Sequence, residues 1–340
     1  MGLKITNNIF NYAAWEEAKR LTVVRRLDGV CLNYDFKNGD QKSFHLPKKL
    51  EEDLFADLRK VLEIAPGELT AERYCKISSK DSRLTFRLAV LPDGDNEKII
   101  INIIDQPVKP WRLSQLGLQM KDLKTLQSAG RARSGLIIIG APARNGKSAL
   151  LYSLLDALND AKKNLYCLSA NPEQEITGIS YLPPTEANWE KILSHDSDII
   201  AIDDLKDTKD LARVLRAAAT GRLVIATMTA ENPWEILSAI LRSDPPLKLK
   251  LDCLKMILIQ HLADWQQPKS SSAKERRQIG LFEILKMTPK LKQFILASES
   301  RPKKNFWKEL EKIARTEGFR PLESDRKHKI KAGILKNPKN

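Results

Sequence analysis

From residue 135 onward, short apolar runs alternate with amphipathic segments. Four apolar runs predict buried strands at 136–139, 165–168, 199–202 and 223–227. Apolar residues at helical spacing predict helices at 148–159, 210–219 and 233–241. Strands that alternate with helices indicate a parallel sheet covered on both faces.

The first 105 residues have a different pattern and predict a separate, smaller α/β domain. A strand at 21–27 runs into the turn signal Asp28-Gly29. A helix is predicted over 50–62, and β-branched runs predict strands at 84–91 and 98–104. Prolines mark a linker over 106–115, so the second domain is expected over 116–340. Beyond about residue 285 the pattern predicts short basic helices.

Composition is that of a soluble globular protein. The 340 residues suit two domains, and 42% are hydrophobic against 29% charged. There is no apolar run of membrane-spanning length and no pattern of a secretory signal. The four cysteines are widely spaced, which disfavours a zinc site and a disulfide framework and suits a reducing cytosol.

The net charge of +14 is concentrated at the C-terminal end. Residues 241–340 hold 24 Lys and Arg against 11 Asp and Glu. Such a basic third implies an acidic partner, which would be nucleic acid, anionic lipid or an acidic protein surface. A solvated surface that keeps the chain soluble explains the same charge.

A candidate phosphate-binding loop follows the apolar run at 136–139. It comprises Ala141, Pro142, Ala143, Arg144, Asn145, Gly146, Lys147 and Ser148. Backbone amides and a helix N-terminus bind phosphate oxygens, a lysine reaches the outer phosphates, and a hydroxyl ligates Mg²⁺. Ala141 replaces the usual first glycine, and Arg144 stands where glycine is common. An accidental Gly-Lys-Ser between a strand and a helix is the alternative.

A carboxylate pair supports the phosphate-binding hypothesis. Asp203 and Asp204 end the apolar run at 199–202. We expect this strand beside the loop strand, with Asp203 and Ser148 on the metal and Asp204 orienting the attacking water. By itself such a pair is more typical of a turn or a helix cap.

Several ordered segments resemble the ATPases of type II secretion and type IV pilus assembly. Arg26-Leu27-Asp28-Gly29-Val30 is similar to their Arg-x-Asp-Gly-Val. Residues 141–148 resemble their Gly-Pro-Thr-Gly-Ser-Gly-Lys-Thr, and 279–285 resemble their Gly-Ile-(Tyr/Phe)-Glu-(Val/Leu) strand. The segment 216–224 is similar to Gln-Ala-Ala-Leu-Thr-Gly-His-Leu-Val. The likeness covers nearly the whole chain.

This resemblance implies a RecA-like phosphate-loop domain joined to an N-terminal α/β, PAS-like domain. It implies ATP and Mg²⁺ as ligands, and a homo- or hetero-hexamer. It also implies an inner-membrane platform protein as partner, pilin or pseudopilin as cargo, and a bacterial cytoplasmic location at the inner membrane. Zinc and nucleic acid are not expected.

The chain also departs from the family pattern at its catalytic boxes. The Glu-Asp-Pro-x-Glu box appears as Ala170-Asn171-Pro172-Glu173, in which Glu173 corresponds to the last carboxylate. Thr229 replaces a histidine, two arginines are missing from 190–198, and the four-cysteine insert is absent. These losses affect hydrolysis more than binding, because arginines stabilise the transferring phosphoryl group.

Three functions therefore compete. The first is a divergent motor ATPase in which Asp204 and Glu173 are catalytic. The second is an inactive subunit that binds nucleotide beside an active paralogue. The third is a RecA-like DNA-binding protein that uses the basic third, although Trp307 and Phe319 have the spacing of helix packing.

Overall fold

The computed structural model describes residues 2–36, 39–61, 71–78, 83–93, 96–106, 110–170, 172–265, 278–299 and 305–336. Asn171, residues 107–109 of the predicted linker and residues 266–277 lie outside these ranges. The chain divides into two compact units, Met1–Val108 and Lys109–Asn340.

In its described residues the first unit is an antiparallel sheet with two α-helices. Its elements are α1 Gly2–Trp15, β1 Ala18–Arg26, β2 Gly29–Phe36, β3 Gln41–Pro47, α2 Glu51–Val61, β4 Ala71–Ser78, β5 Arg83–Asp93 and β6 Asn96–Gln106. The strand order is β3-β2-β1-β6-β5-β4. Apolar side chains from α1, α2 and the central strands form one core, which includes Phe10, Leu21, Phe55 and Ile101.

The predicted turn after β1 requires its glycine. Arg26 pairs with Gly29 across a two-residue loop, and Gly29 has φ 147°. A Cβ atom at this position would lie 2.0 Å from the carbonyl oxygen of Leu46. The predictions at 21–27, 50–62, 84–91 and 98–104 are confirmed by β1, α2, β5 and β6, whereas α1, β2, β3 and β4 were not predicted.

The second unit begins with a short 3₁₀ turn at Leu113–Gln115. Its elements are α3 Met120–Gly130, β7 Gly135–Ala141, α4 Lys147–Leu158, β8 Leu165–Leu168, β9 Ile179–Leu182, α5 Glu186–Ser194, β10 Ile199–Leu205, α6 Thr208–Ala219, β11 Leu223–Thr229, α7 Pro233–Arg242, α8 Leu247–Cys253, β12 Leu254–Asp264, β13 Gln278–Lys286, α9 Pro289–Glu299, α10 Phe306–Thr316 and α11 Leu322–Lys331.

The second sheet has the order β13-β12-β7-β11-β10-β8-β9, and β13 is its antiparallel edge strand. Successive residues of β7 point into two different cores: Leu136 and Ile138 into one, Ile137 and Ile139 into the other. This alternation confirms the predicted sheet covered on both faces. The parallel strands bring the carboxyl ends of β7, β8, β10 and β11 to one edge.

The expectation that the strand carrying Asp203 lies beside the loop strand is wrong. β7 pairs with β11 and β12, and β11 separates it from β10. Local periodicity predicts that a strand exists but not its neighbours, because pairing depends on contacts between residues distant in sequence. The acid still lies at the same edge as the loop, since β7, β11 and β10 are parallel.

Polar contacts, some buried and some partly exposed, connect the C-terminal end of the second unit to β13 and α3. Asp325 of α11 accepts hydrogen bonds from the amide of Phe282, at 2.9 Å, and from Lys329. The guanidinium of Arg320 contacts both carboxylate oxygens of Asp122, at 2.8 and 2.9 Å. Part of the basic charge of this third is therefore neutralised within the chain.

No helix in the described residues has the length and apolar character needed to cross a membrane.

Candidate functional site

The predicted phosphate loop connects the end of β7 to the start of α4. The amide of Asn145 donates to the carbonyl of Pro142 at 3.2 Å, and Gly146 has the left-handed φ of 75°. No side chain caps α4, whereas Thr185, Asp207 and Asn232 cap α5, α6 and α7. The first amides of a helix have no partner within it, so α4 presents donors that suit an anion.

The two substituted glycine positions have different structural contexts. Ala141 is the last residue of β7, is fully buried and pairs with Thr229 of β11. It is a strand residue, so a methyl group is accommodated there. Arg144 is exposed and has φ 63°, which for a residue other than glycine costs about 1–2 kcal/mol. The loop thus keeps its left-handed backbone at residue 144 without a glycine.

Asn145 attaches the loop to β12. Its Oδ1 accepts from the amide of Leu262 at 2.8 Å, and its carbonyl accepts from Nε2 of Gln260 at 2.8 Å. Its Nδ2 donates to the carbonyl of Ala143 at 3.1 Å. Gln260 is 2% exposed. Gln260 and Leu262 were not predicted as site residues because β12 was not predicted, although the apolar run at 256–259 is typical of a buried strand.

Lys147 extends across the edge of the sheet towards β10 and β11. Its Nζ donates to Oδ1 of Asp204 at 2.5 Å and to Oγ1 of Thr229 at 3.2 Å. Thr229 stands at the position of the family's histidine, so this replacement is a direct neighbour of the lysine. The ammonium therefore has two oxygen partners within the chain, with which the oxygens of a phosphate would compete.

Asp203 is the buried acid of the pair. It accepts hydrogen bonds from Thr227, at 3.3 Å, and from the Tyr152 hydroxyl, also at 3.3 Å. Burial raises the pKa of Asp203, and the positive charge of Lys147 opposes that rise. Asp204 differs, because its side chain is 49% exposed and its φ is 75°. The two carboxylates thus have separate environments, one enclosed and one open.

Glu173 joins this cluster from the loop after β8. Its amide donates to the Tyr152 hydroxyl at 3.2 Å, and its carboxylate is hydrogen-bonded to Ser148. Burial, and then the charge of Asp203, raise the pKa of Glu173 to about 7. Five predicted site residues therefore meet at one place: Lys147, Ser148, Glu173, Asp203 and Asp204. Tyr152 and Thr227 connect them and were not predicted as site residues.

Two arginines of the second unit that follow the acid-bearing strand, Arg216 and Arg222, have partners away from the candidate site. Arg222 precedes β11, at the opposite edge of the sheet from the loop. Its guanidinium donates to Ser197 at 2.8 Å, Thr220 at 2.6 Å and the Leu193 carbonyl at 2.9 Å. Arg216 forms an ion pair with Asp244. Neither arginine contributes charge to the cluster around Lys147.

The oxygen atoms at this site suit Mg²⁺. Mg²⁺ takes hard oxygen ligands and is commonly held by one or two carboxylates together with substrate phosphates. The Ser148 hydroxyl and the Asp203 carboxylate are such ligands, and Glu173 is their neighbour. In the described ranges no group of three or more His, Cys, Asp or Glu could hold a metal by itself.

A parallel sheet with β11 between the loop strand and the acid-bearing strand, covered by helices, defines a RecA-like α/β fold of the ATPase type. The sequence profile of the family described as type II/IV secretion system protein matches residues 71–338. The chain belongs to this family.

Similar proteins agree with that assignment. The protein transport protein HofB homolog of Escherichia coli K12 is 24% identical over 297 residues, 77% of this chain and 63% of its own. The type IV pilus assembly ATPase PilB of Pseudomonas aeruginosa is 23% identical over 297 residues, 75% of this chain and 51% of its own. These alignments cover roughly half to under two thirds of the relatives' length. The crystal structure of the Legionella pneumophila ATPase DotB shares the fold, with TM-score 0.72, 16% identity, and coverage of 98% and 93%.

Proposed function

We propose that the second unit binds ATP or ADP with Mg²⁺ through residues 141–148. The observation that carries this proposal is the uncapped start of α4 beside Lys147 and Ser148. Similarity to proteins named as ATPases supports it. The loop amides and Lys147 would hold the phosphates, and Ser148 and Asp203 would hold the metal, which neutralises charge on the phosphoryl oxygens when it is bound.

We further propose that hydrolysis by the isolated protein is very slow. Asp204, with Glu173 beside it, is the candidate for orienting the attacking water. Arg216 and Arg222 have partners elsewhere, and Arg144 is exposed. Arginines contribute roughly 10³-fold or more to phosphoryl transfer, so a neighbouring subunit would have to supply this charge.

Single-turnover measurements test both proposals together. The full chain, in excess over radiolabelled ATP with Mg²⁺, is expected to retain the label on a filter while converting it to ADP only slowly. Asp204→Asn should reduce the remaining conversion, and Arg144→Ala should leave it unchanged. Label that is not retained contradicts nucleotide binding, and rapid conversion by the unaided chain contradicts slow hydrolysis.

The second candidate is a subunit that binds nucleotide without hydrolysing it. The hydrogen bond between Lys147 and Asp204 favours this function. The lysine is already paired with Asp204, the residue assigned to the water. Nucleotide would then be a structural or regulatory ligand beside an active paralogue. Retention of the label by the chain alone, with no conversion to ADP, supports this function over the motor function.

We propose that the chain works within a type II secretion or type IV pilus assembly system as part of a hexamer. Its proposed location is the cytoplasmic side of the inner membrane, where it would act on a platform protein and on pilin or pseudopilin. Family membership supports this role. A DNA-binding role has less support, because Phe319 is buried against Trp234, with ring centroids 5.4 Å apart.

A further inference from the structure

A groove of about 500 Å³ lies at the edge of the second sheet opposite the phosphate loop. One wall is α3, and the other is the start of β12 with the end of β13. Four lysines and two hydroxyl residues line this lysine groove: Lys121, Lys124, Lys255, Lys286, Thr125 and Ser128. Its volume is in the range of small-molecule sites, about 300–1,000 Å³.

The α3 side of the groove is a single helical face. The four lining residues of α3 lie at helical spacing, so their side chains are neighbours along one face of the helix: Lys121, Lys124, Thr125 and Ser128. The opposite face of α3 is buried through Leu123 and Leu126. The groove-facing side therefore carries two ammonium groups and two hydroxyls, and no carboxylate.

The strand side adds two more ammonium groups from separate strands. Met256 of β12 pairs with Lys286 of β13, and Lys255 precedes Met256 at a register shift in the pairing of β12 with β7; both lysines line the groove. The stem of Lys255 lies over Gly135: a Cβ atom there would be 2.4 Å from its Cε. This close approach restricts where the Lys255 side chain can lie. Met256 adds an apolar surface to the lining of the groove.

Carboxylates adjoin the groove, because Asp122 and Glu317 line a neighbouring cavity together with two of its lysines, but these carboxylates are paired with other cations. None of the four lysines forms an ion pair or side-chain hydrogen bond with any residue that the structure describes. The neighbouring Asp122 is engaged by Arg320. Burial and then the charge of Lys255 lower the pKa of the adjacent Lys292, while Asp252 acts in the opposite direction. Like charges converging in a concave surface raise the local concentration of anions.

We propose that the lysine groove binds a phosphate-bearing anion. Lysine ammoniums act as point charges with three donors each, which suits tetrahedral phosphate. The Ser128 hydroxyl adds a further donor, whereas the Thr125 hydroxyl donates to the carbonyl of Lys121 at 2.9 Å. Planar carboxylates are better matched by the arginine fork, and no arginine lines this groove among the described residues. The phosphate could belong to a soluble polyphosphate or to the headgroup of an anionic lipid, and both present the same chemistry.

The test compares two variants of equal net charge. The groove variant carries Lys→Gln at 121, 124, 255 and 286. The control variant carries Lys→Gln at four exposed positions elsewhere: 162, 191, 308 and 327. Calorimetric titration with inorganic tripolyphosphate measures the soluble source. Sedimentation with phosphatidylcholine vesicles, with and without phosphatidylglycerol, measures the lipid source. Both use the full chain with Lys147→Ala, so that the phosphate loop contributes less.

The groove variant is expected to lose tenfold or more in affinity in one arm, while the control variant retains the parent affinity. If the groove variant loses affinity for tripolyphosphate, the ligand is a soluble phosphate. If it loses affinity only for vesicles that contain phosphatidylglycerol, the ligand is a lipid headgroup. Equal losses in both variants would show a nonspecific charge effect and overturn the proposal. It is also overturned if the parent binds neither probe.

Discussion

At the residue scale, Lys147 determines the charge balance of the candidate site. It is the cation within hydrogen-bonding distance of Asp204, and its charge also opposes the raised pKa values of Asp203 and Glu173. Removing it would leave three clustered carboxyl groups without their cationic neighbour. Lys147→Ala should therefore weaken nucleotide binding both by losing a phosphate contact and by leaving a more negative site.

The raised pKa of Glu283 predicts that the stability of the fold depends on pH. It is 7% exposed, its Oε2 accepts from the amide of Leu322 at 2.8 Å, and burial raises its pKa from 4.5 to about 7. The folded state thus holds a proton that the unfolded state releases between these pH values. The free energy of unfolding should fall across this window as pH rises, because ionisation favours the unfolded chain.

The Glu283→Gln variant isolates that effect. Its amide oxygen can still accept from Leu322, but it does not titrate. Urea unfolding at about pH 5 and about pH 8 should show a larger loss of stability in the parent than in the variant. Parallel changes with pH in the two proteins would show that Glu283 does not have the raised pKa.

At the element scale, the phosphate loop depends on β12. Asn145 is hydrogen-bonded to Gln260 and Leu262, so the loop is attached to a strand more than a hundred residues away. Asn145→Ala removes the hydrogen bond from the Leu262 amide, which is worth about 1 kcal/mol. We predict a loss of nucleotide affinity of about fivefold in an equilibrium titration. Asn188→Ala, which removes an asparagine hydrogen bond in α5, is the control and should bind as the parent does.

The sequence predicted the elements of the sheet better than their arrangement. β8 was predicted with its observed bounds, and β7, β10 and β11 within three residues at each end, because each is a compact apolar run. The order of the loop strand and the acid-bearing strand was wrong, since it depends on pairing between distant segments. Likewise, Lys147, Ser148, Asp203 and Asp204 carry motif spacing, whereas Tyr152 and Thr227 gain their roles only from side-chain contacts.

At the scale of the whole molecule, family membership predicts assembly into a ring. We expect a hexamer at micromolar concentration in the presence of nucleotide, alone or mixed with a paralogue. Light scattering measures the mass directly, and Lys147→Ala should assemble less if nucleotide stabilises the ring. A monomer under every condition, including with an added paralogue, would contradict the expected assembly.

Equilibrium titration with a fluorescent ATP analogue and Mg²⁺ measures whether residues 141–148 bind nucleotide. The parent should show saturable binding, and Lys147→Ala should weaken it tenfold or more, about 1.4 kcal/mol. Lys191→Ala, which changes an exposed lysine of α5, should bind as the parent does. Equal affinity of the Lys147→Ala variant and the parent would contradict the assignment of the loop.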